Sequence, residues 1–190
     1  MNPLRIALLV SGSGRTLRNL LELERSGILP IKIALVISSR AGVAALQHAA
    51  DFDVPAHVLK ATEVTQALDK VEPSLVVMAG YLKRWDIPER YLGRTINIHP
   101  ALLPLHGGPG FYGDRVHQAA LDAGEAESGC TVHFVTLEYD KGPIIDQARV
   151  PVLPGDDAHT LADRVFEQEL ILLPRVIAGI ARGDIPLQLG

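Results

Sequence analysis

Apolar and polar positions change their period along the chain, and the changes predict its elements. In the first half, short apolar runs rich in β-branched residues, Arg5 to Val10, Ile31 to Ser38, Ala56 to Leu59, Leu75 to Ala79 and Thr95 to Ile98, read as strands. Between them Thr16 to Leu23, Ala41 to Asp51 and Glu63 to Val71 have helix-forming composition, the last ending before Pro73. Strands alternating with helices predict βαβ units and a parallel sheet covered on both faces. Later, Gly129 to Thr136 and Pro143 to Pro151 are strand-like runs joined by a short polar connection, which predicts an antiparallel hairpin. Beyond Pro154-Gly155-Asp156, Thr160 and Asp163 have the spacing of a capping box. Leu161, Val165, Leu172 and Val176 then share one helical face, so a long C-terminal helix is expected, kinked at Pro174. The expected class is α/β: a Rossmann-like, doubly wound, mainly parallel sheet with a C-terminal antiparallel hairpin and a long C-terminal helix.

Composition narrows the partners. The 190 residues carry 18 Lys+Arg against 22 Asp+Glu, a net charge of −4, with a pI near 5.9, which argues against a nucleic-acid or membrane-surface partner. One domain over 1–190 is expected, because a chain of this size buries about 70% of its unfolded surface without staples. The single cysteine, Cys130, excludes an internal disulfide and a C-x-x-C site, and points to a reducing, cytoplasmic setting; it is expected to be buried and inert. The run Ile6 to Val10 is too short for a secretory signal, and Leu170 to Leu173 meets Pro174 far short of a membrane span. Leu105 to Gly113 holds four glycines and a proline and reads as a loop.

Three places can carry chemistry. Ser11-Gly12-Ser13-Gly14-Arg15-Thr16 follows the first strand and opens a helix, so its glycines let the backbone approach an anion at the helix N-terminus. Leu17 replaces the third glycine of a dinucleotide fingerprint, and no Walker lysine follows. At the end of the fifth strand, alternation puts Asn97 and His99 on one side, an amide and an imidazole suited to an oxyanion or to acid–base work. Asp140 lies in the hairpin connection, where an aspartate alone reads as a turn former. The seven histidines form no metal-ligand spacing, and no metal is expected.

In combination and order, Ser11-Gly-Ser-Gly14, Ala79-Gly-Tyr-Leu82, Asn97-Ile-His-Pro-Ala-Leu-Leu-Pro104, Gly129-Cys-Thr-Val-His-Phe-Val135, Asp140-Lys-Gly-Pro143 and Gln168-Glu169 resemble the folate-dependent formyltransferase family, over nearly the whole chain. The resemblance implies that the amine of glycinamide ribonucleotide attacks the formyl carbon of 10-formyltetrahydrofolate, in the branch of the family that serves purine synthesis. It implies that Asn97 and His99 hydrogen-bond the developing oxyanion and that Asp140 keeps the His99 imidazole protonated. It assigns Gly14, Arg15 and Thr16 to the substrate phosphate, Glu169 to the ribose hydroxyls, and Leu82, Lys83, Arg84 and Trp85, with Asn97, to the folate. Glu138 and Tyr139 are further folate candidates. His133 is expected to support the site indirectly, and His117 at a helix start is as readily structural as functional. The implied partners are small molecules, and the implied assembly is a monomer or a homodimer.

The sequence departs from the family in three places. Thr16 stands where asparagine is usual, the stretch between Lys60 and Asp69 is short and lacks a folate-contacting arginine, and Leu105 to Gly113 replaces a tighter segment. Other formyl-folate reactions, on methionyl-tRNA or an amino sugar nucleotide, and formyl-folate hydrolysis compete; chain length and acidity are expected to disfavour them. An NADP-dependent oxidoreductase, suggested by Ser38-Ser39-Arg40 after the second strand, leaves Asn97, His99 and Asp140 without a purpose. A phosphometabolite-binding module without catalysis is the remaining alternative.

Overall fold

A computed structural model describes residues 2–188. Seven strands, β1 (Leu4–Val10), β2 (Ile31–Ser38), β3 (Ala56–Val58), β4 (Leu75–Ala79), β5 (Thr95–His99), β6 (Glu127–Phe134) and β7 (Ile144–Pro151), are hydrogen-bonded in the order β3-β2-β1-β4-β5-β6-β7. The helices are α1 (Arg15–Arg25), α2 (Ala44–Asp51), α3 (Val64–Val71), α4 (Asp114–Asp122) and α5 (Ala158–Arg182). This is the expected doubly wound sheet, with β6 and β7 as the antiparallel hairpin and α5 as the long C-terminal helix. No helix among the described residues is long and apolar enough to cross a membrane. The chain divides into two compact units, one running to Ile96 and resuming at Ile177, the other spanning Asn97–Val176.

In the first unit, β1 pairs in parallel with both β2 and β4, and β2 with β3. Ile6 to Val10 and Ile33 to Ile37 are buried without interruption, as strands covered on both faces require. Leu17, Leu20 and Leu21 bury the sheet-facing stripe of α1 at the three- and four-residue spacing of a helix. Chain order reverses between β1 and β4, so the carboxyl ends of these strands flank a topological switch point, where ligands bind in open α/β sheets.

Local chemistry moves several boundaries. The second helix starts at Ala44 rather than Ala41, because Gly42 takes a left-handed φ of 68° and Val43 an extended conformation. The first extends to Arg25, whose guanidinium lies 4.3 Å from the centre of the Phe52 ring. In the second unit β6 begins at Glu127 and ends at Phe134, two residues earlier than the apolar run suggests at each end. α5 passes through Pro174 as one helix.

The capping box also lies three residues earlier than expected. Asp157 precedes the helix, its backbone N–H donates to Thr160 Oγ1 at 2.9 Å, and the Thr160 N–H donates to Asp157 Oδ1 at 2.8 Å. Thr160 therefore closes the box that the spacing has it open, and the helix gains an extra half turn. Asp157→Ala removes the acceptor of the Thr160 N–H while leaving the backbone bond to Thr160 Oγ1, and a lower Tm than wild type is the expected result in calorimetry; an unchanged Tm would show that the carboxylate half of the box carries no stability.

Candidate active site

Asn97 and His99 occupy the carboxyl end of β5 and Asp140 the connection between β6 and β7, all within the second unit. The structure brings them together through a fourth residue. His133 Nε2 lies 3.1 Å from Asn97 Nδ2 and 3.5 Å from Asp140 Oδ1, and Asp140 Oδ2 lies 3.7 Å from His99 Nδ1. His133 is therefore a direct neighbour of both Asn97 and Asp140, a position from which it acts on the site through them. Its placement comes from a break in register between Val132 and His133 in the β6–β7 ladder, an irregularity of the kind that re-aims a side chain and that alternation cannot foresee.

The hydrogen bonds fix ring orientations. His133 Nδ1 is 2.9 Å from the Phe134 carbonyl oxygen, which can only accept, so Nδ1 carries a proton, and in the neutral ring Nε2 is left to accept from the Asn97 amide. That bond turns the NH2 end of Asn97 toward His133 and leaves its second N–H free to donate elsewhere.

The charge state follows from burial. His99 is only 4% exposed, and desolvation, the largest influence on it, pushes its pKa below the ordinary histidine value. Asp140 pulls in the opposite direction and is outweighed, so the expectation that Asp140 holds the imidazole protonated is corrected: in the free protein burial favours neutral His99. For Asp140 burial is again the largest single influence and pushes upward. Contacts with His133, His99 and the Gly108 N–H together overcome it and hold the carboxyl below its usual range. The resting pair is an ionised aspartate beside a neutral histidine.

His117 is buried on α4, its pKa lowered by desolvation against the pull of Asp114, and its Nδ1 has no hydrogen-bond partner. It is within electrostatic reach of His99. Two buried histidines held neutral have a signed consequence. The unfolded chain binds their protons first as pH falls through the ordinary histidine value, so stability falls below that pH; the Asp140 contribution, present above its unfolded pKa, is lost only further into acid. Thermal unfolding is expected to show Tm falling from pH 7 to 5, with a shallower fall in His117→Asn. A Tm that rises over that interval would contradict the assignment.

The substrate-binding candidates of the first unit sit at its switch point. Gly14 ends the turn before α1 with φ 68°, and a Cβ there would lie 2.6 Å from Ala45 Cα, so a close approach as well as the left-handed backbone demands glycine. Helix α1 has no side-chain cap at Gly14, and the start of a helix favours an anion. Arg15 is exposed and Thr16 half-buried. Ser11 Oγ is 2.6 Å from Ser39 Oγ and accepts from the Leu82 N–H at 2.9 Å, tying together the segments that follow β1, β2 and β4.

The expected folate segment divides. Leu82, Lys83 and Arg84 are exposed, whereas Trp85 is buried with its Nε1–H on Thr65 Oγ1 at 2.9 Å and its ring 5.7 Å from that of Tyr91. The indole therefore supports the segment from below. Glu138 and Tyr139 are exposed beside Asp140 in the hairpin connection. Glu169 is half-buried on α5, and its charge adds to burial in pushing the Cys130 thiol up to about 12. Cys130 is thus buried and protonated, as the sequence suggests.

Sequence reasoning misses residues that act through the main chain or through hydroxyl and amide networks. Thr131 Oγ1 donates to the Ala101 carbonyl at 2.6 Å and accepts from the Leu103 N–H at 3.1 Å and from Gln147 Nε2 at 2.9 Å. Gln147 Nε2 also donates to the Leu103 carbonyl. The Pro-Ala-Leu-Leu-Pro stretch after His99 is thereby fastened to the hairpin that carries Asp140. Alternating polar residues in β6 and β7 are the only sequence signal for this.

An α/β sheet ending in an amide, two imidazoles and a carboxylate linked by contacts is chemically suited to oxyanion stabilisation and proton movement. The chain belongs to the formyl transferase family, whose sequence model matches residues 4–177. It is 39% identical over 195 residues to the trifunctional purine biosynthetic protein adenosine-3 of Drosophila pseudoobscura pseudoobscura, across 95% of this chain and 14% of that protein. The chain thus spans a small part of that multifunctional relative. It is 35% identical to the phosphoribosylglycinamide formyltransferase of Haemophilus influenzae, across 97% of this chain and 90% of that protein. The crystal structure of glycinamide ribonucleotide transformylase 1 from Symbiobacterium toebii matches with a TM-score of 0.90 at 35% identity, covering 98% of this chain and 92% of that one.

Proposed function

We propose that this protein transfers the formyl group of 10-formyltetrahydrofolate to the primary amine of glycinamide ribonucleotide, a step of purine synthesis. The observation that carries the proposal is the direct contact of His133 with both Asn97 and Asp140, and of Asp140 with His99, in a chain of this family. The near full-length match to a bacterial phosphoribosylglycinamide formyltransferase supports the choice of acceptor, and a family match that runs across both compact units supports treating 1–190 as one formyltransferase domain.

The amine attacks the formyl carbon, and the carbonyl oxygen becomes an oxyanion. Asn97, its amide oriented by His133, donates its free N–H to that oxygen. Neutral His99 accepts the proton that the attacking nitrogen sheds, and Asp140 stabilises the imidazolium so formed. The same proton passes to the folate nitrogen as the carbon–nitrogen bond breaks, giving the N-formyl product and tetrahydrofolate without net proton change from the neutral amine. The resemblance to the family assigns Gly14, Arg15 and Thr16 to the ribonucleotide phosphate, Glu169 to the ribose hydroxyls, and Leu82, Lys83, Arg84 and Trp85, with Asn97, to the folate. The enzyme acts on small molecules in the cytoplasm.

The test is the initial rate of tetrahydrofolate formation, read by folate absorbance, with each substrate varied. Turnover that saturates in both substrates is the expected result. Tetrahydrofolate released at the same rate without glycinamide ribonucleotide would replace the proposal by hydrolysis. Absence of turnover with both ligands bound would remove it.

A further inference from the structure

The loop after β5 contacts the catalytic pair through its main chain. His99 Nε2 lies 2.9 Å from the His106 carbonyl oxygen, and the Gly108 N–H donates to Asp140 Oδ2 at 2.9 Å. Between them Gly107 leaves no room for a side chain, since a Cβ there would sit 2.5 Å from Leu103 Cδ2 and 3.3 Å from Asp140 Cβ. The backbone is bent to reach these atoms: His106 has φ 51° and Asp140 φ 53°, both left-handed, a region non-glycine residues rarely enter and β-branched ones almost never. His106 and Gly108 thus hold His99 and Asp140 through main-chain hydrogen bonds, with Gly107 packed between them.

We propose that His106, Gly107 and Gly108 form a strap that locks the His99 tautomer and aims Asp140 at it, so that His99 exchanges its proton at Nδ1 alone. A carbonyl oxygen only accepts, so Nε2 must carry a hydrogen in either protonation state. Nδ1 is then the nitrogen whose lone pair is open in the neutral ring, and it is the one facing Asp140 Oδ2. Gly108 fixes that same oxygen by its N–H, so the acceptor of the imidazolium charge cannot rotate away. The groups facing His99 are Asp140, His133, His106 and, from α4, His117; of these, His106 makes its hydrogen bond to the ring through the main chain. The strap residues are positioning residues, because their contacts are with His99 and Asp140 and the substrate is reached through these.

The inference rests on the proposed reaction only for its kinetic arm, so two measurements are paired. Nitrogen NMR of the whole 15N-labelled protein above pH 8 reads the tautomer without any substrate. A protonated Nε2 and an unprotonated Nδ1 on His99 are expected; the reverse overturns the proposal, whatever the enzyme turns over. In the kinetic arm, His106→Val places a β-branched residue at the left-handed position and is expected to lower kcat by roughly 10- to 100-fold with KM changed less than about threefold. It should also populate the second His99 tautomer. His106→Asn, which tolerates that backbone and keeps the carbonyl in place, should restore most of kcat and the single tautomer. Loss of kcat with equal severity in both variants would assign the effect to the imidazole side chain and overturn the strap, as would full activity in His106→Val.

Discussion

Asp140→Asn is expected to lower kcat for formyl transfer by about 100- to 10,000-fold, the range that a positioned acid–base system supplies. The substitution preserves shape, and its amide oxygen can still accept from Gly108, so the loss reports charge. Two effects separate it from general damage. The imidazolium formed on His99 during proton transfer loses the carboxylate 3.7 Å away. The same carboxylate is what raises the His99 pKa against burial, so its removal lets that pKa fall further. The acid limb of the kcat profile, which marks protonation of His99, is expected below the ordinary histidine value in wild type and lower still in Asp140→Asn. A limb that stays in place, or moves upward, would show that Asp140 does not act on His99.

The second large effect is on stability. Gly142 closes the Asp140-Lys-Gly turn, and its need for glycine is steric: a Cβ would fall 1.7 Å from the Phe134 carbonyl oxygen and 2.8 Å from its carbon. No side-chain rotation relieves a clash with backbone, so the hairpin connection must move. Gly142→Ala is expected to cost about 2–4 kcal/mol in denaturant unfolding, at the upper end for one added methyl. Because the Phe134 N–H donates to the Pro143 carbonyl oxygen one residue on, the displaced turn also carries Asp140 away from His133. Gly12→Ala is the comparison: nothing lies within 4 Å of a Cβ there, and its stability should stay within about 0.5 kcal/mol of wild type. Equal stability of the two variants would contradict the contact at Phe134.

What the sequence made legible follows from how each group is held. Asn97 and His99 are two apart on a strand, and a period of two puts them on one side whatever surrounds them. The parallel half of the sheet declared itself through unbroken apolar runs such as Ile6 to Val10. Asp140 could be named only by resemblance, since its position depends on a hairpin and on a left-handed backbone that no local pattern specifies. His133 could be named as a supporting residue, but its two contacts could not, because a register break aims it. His106 and Gly108 escaped because main-chain atoms make their contacts, and a glycine-rich loop looks alike whether it holds a catalytic pair or merely turns. The protonation of His99 was misjudged for a related reason: sequence showed a carboxylate partner, whereas the degree of burial that outweighs it exists only in three dimensions.

The destination of the formyl carbon tests the central claim most directly. With 10-formyltetrahydrofolate labelled with 13C in the formyl group, glycinamide ribonucleotide and the wild-type protein, carbon NMR should show the label passing into an amide-bound formyl signal in step with tetrahydrofolate formation, and the transfer should be lost in His99→Ala. Label recovered as free formate, or retained on the folate while both substrates are bound, would contradict the assignment of this protein as the enzyme that formylates glycinamide ribonucleotide.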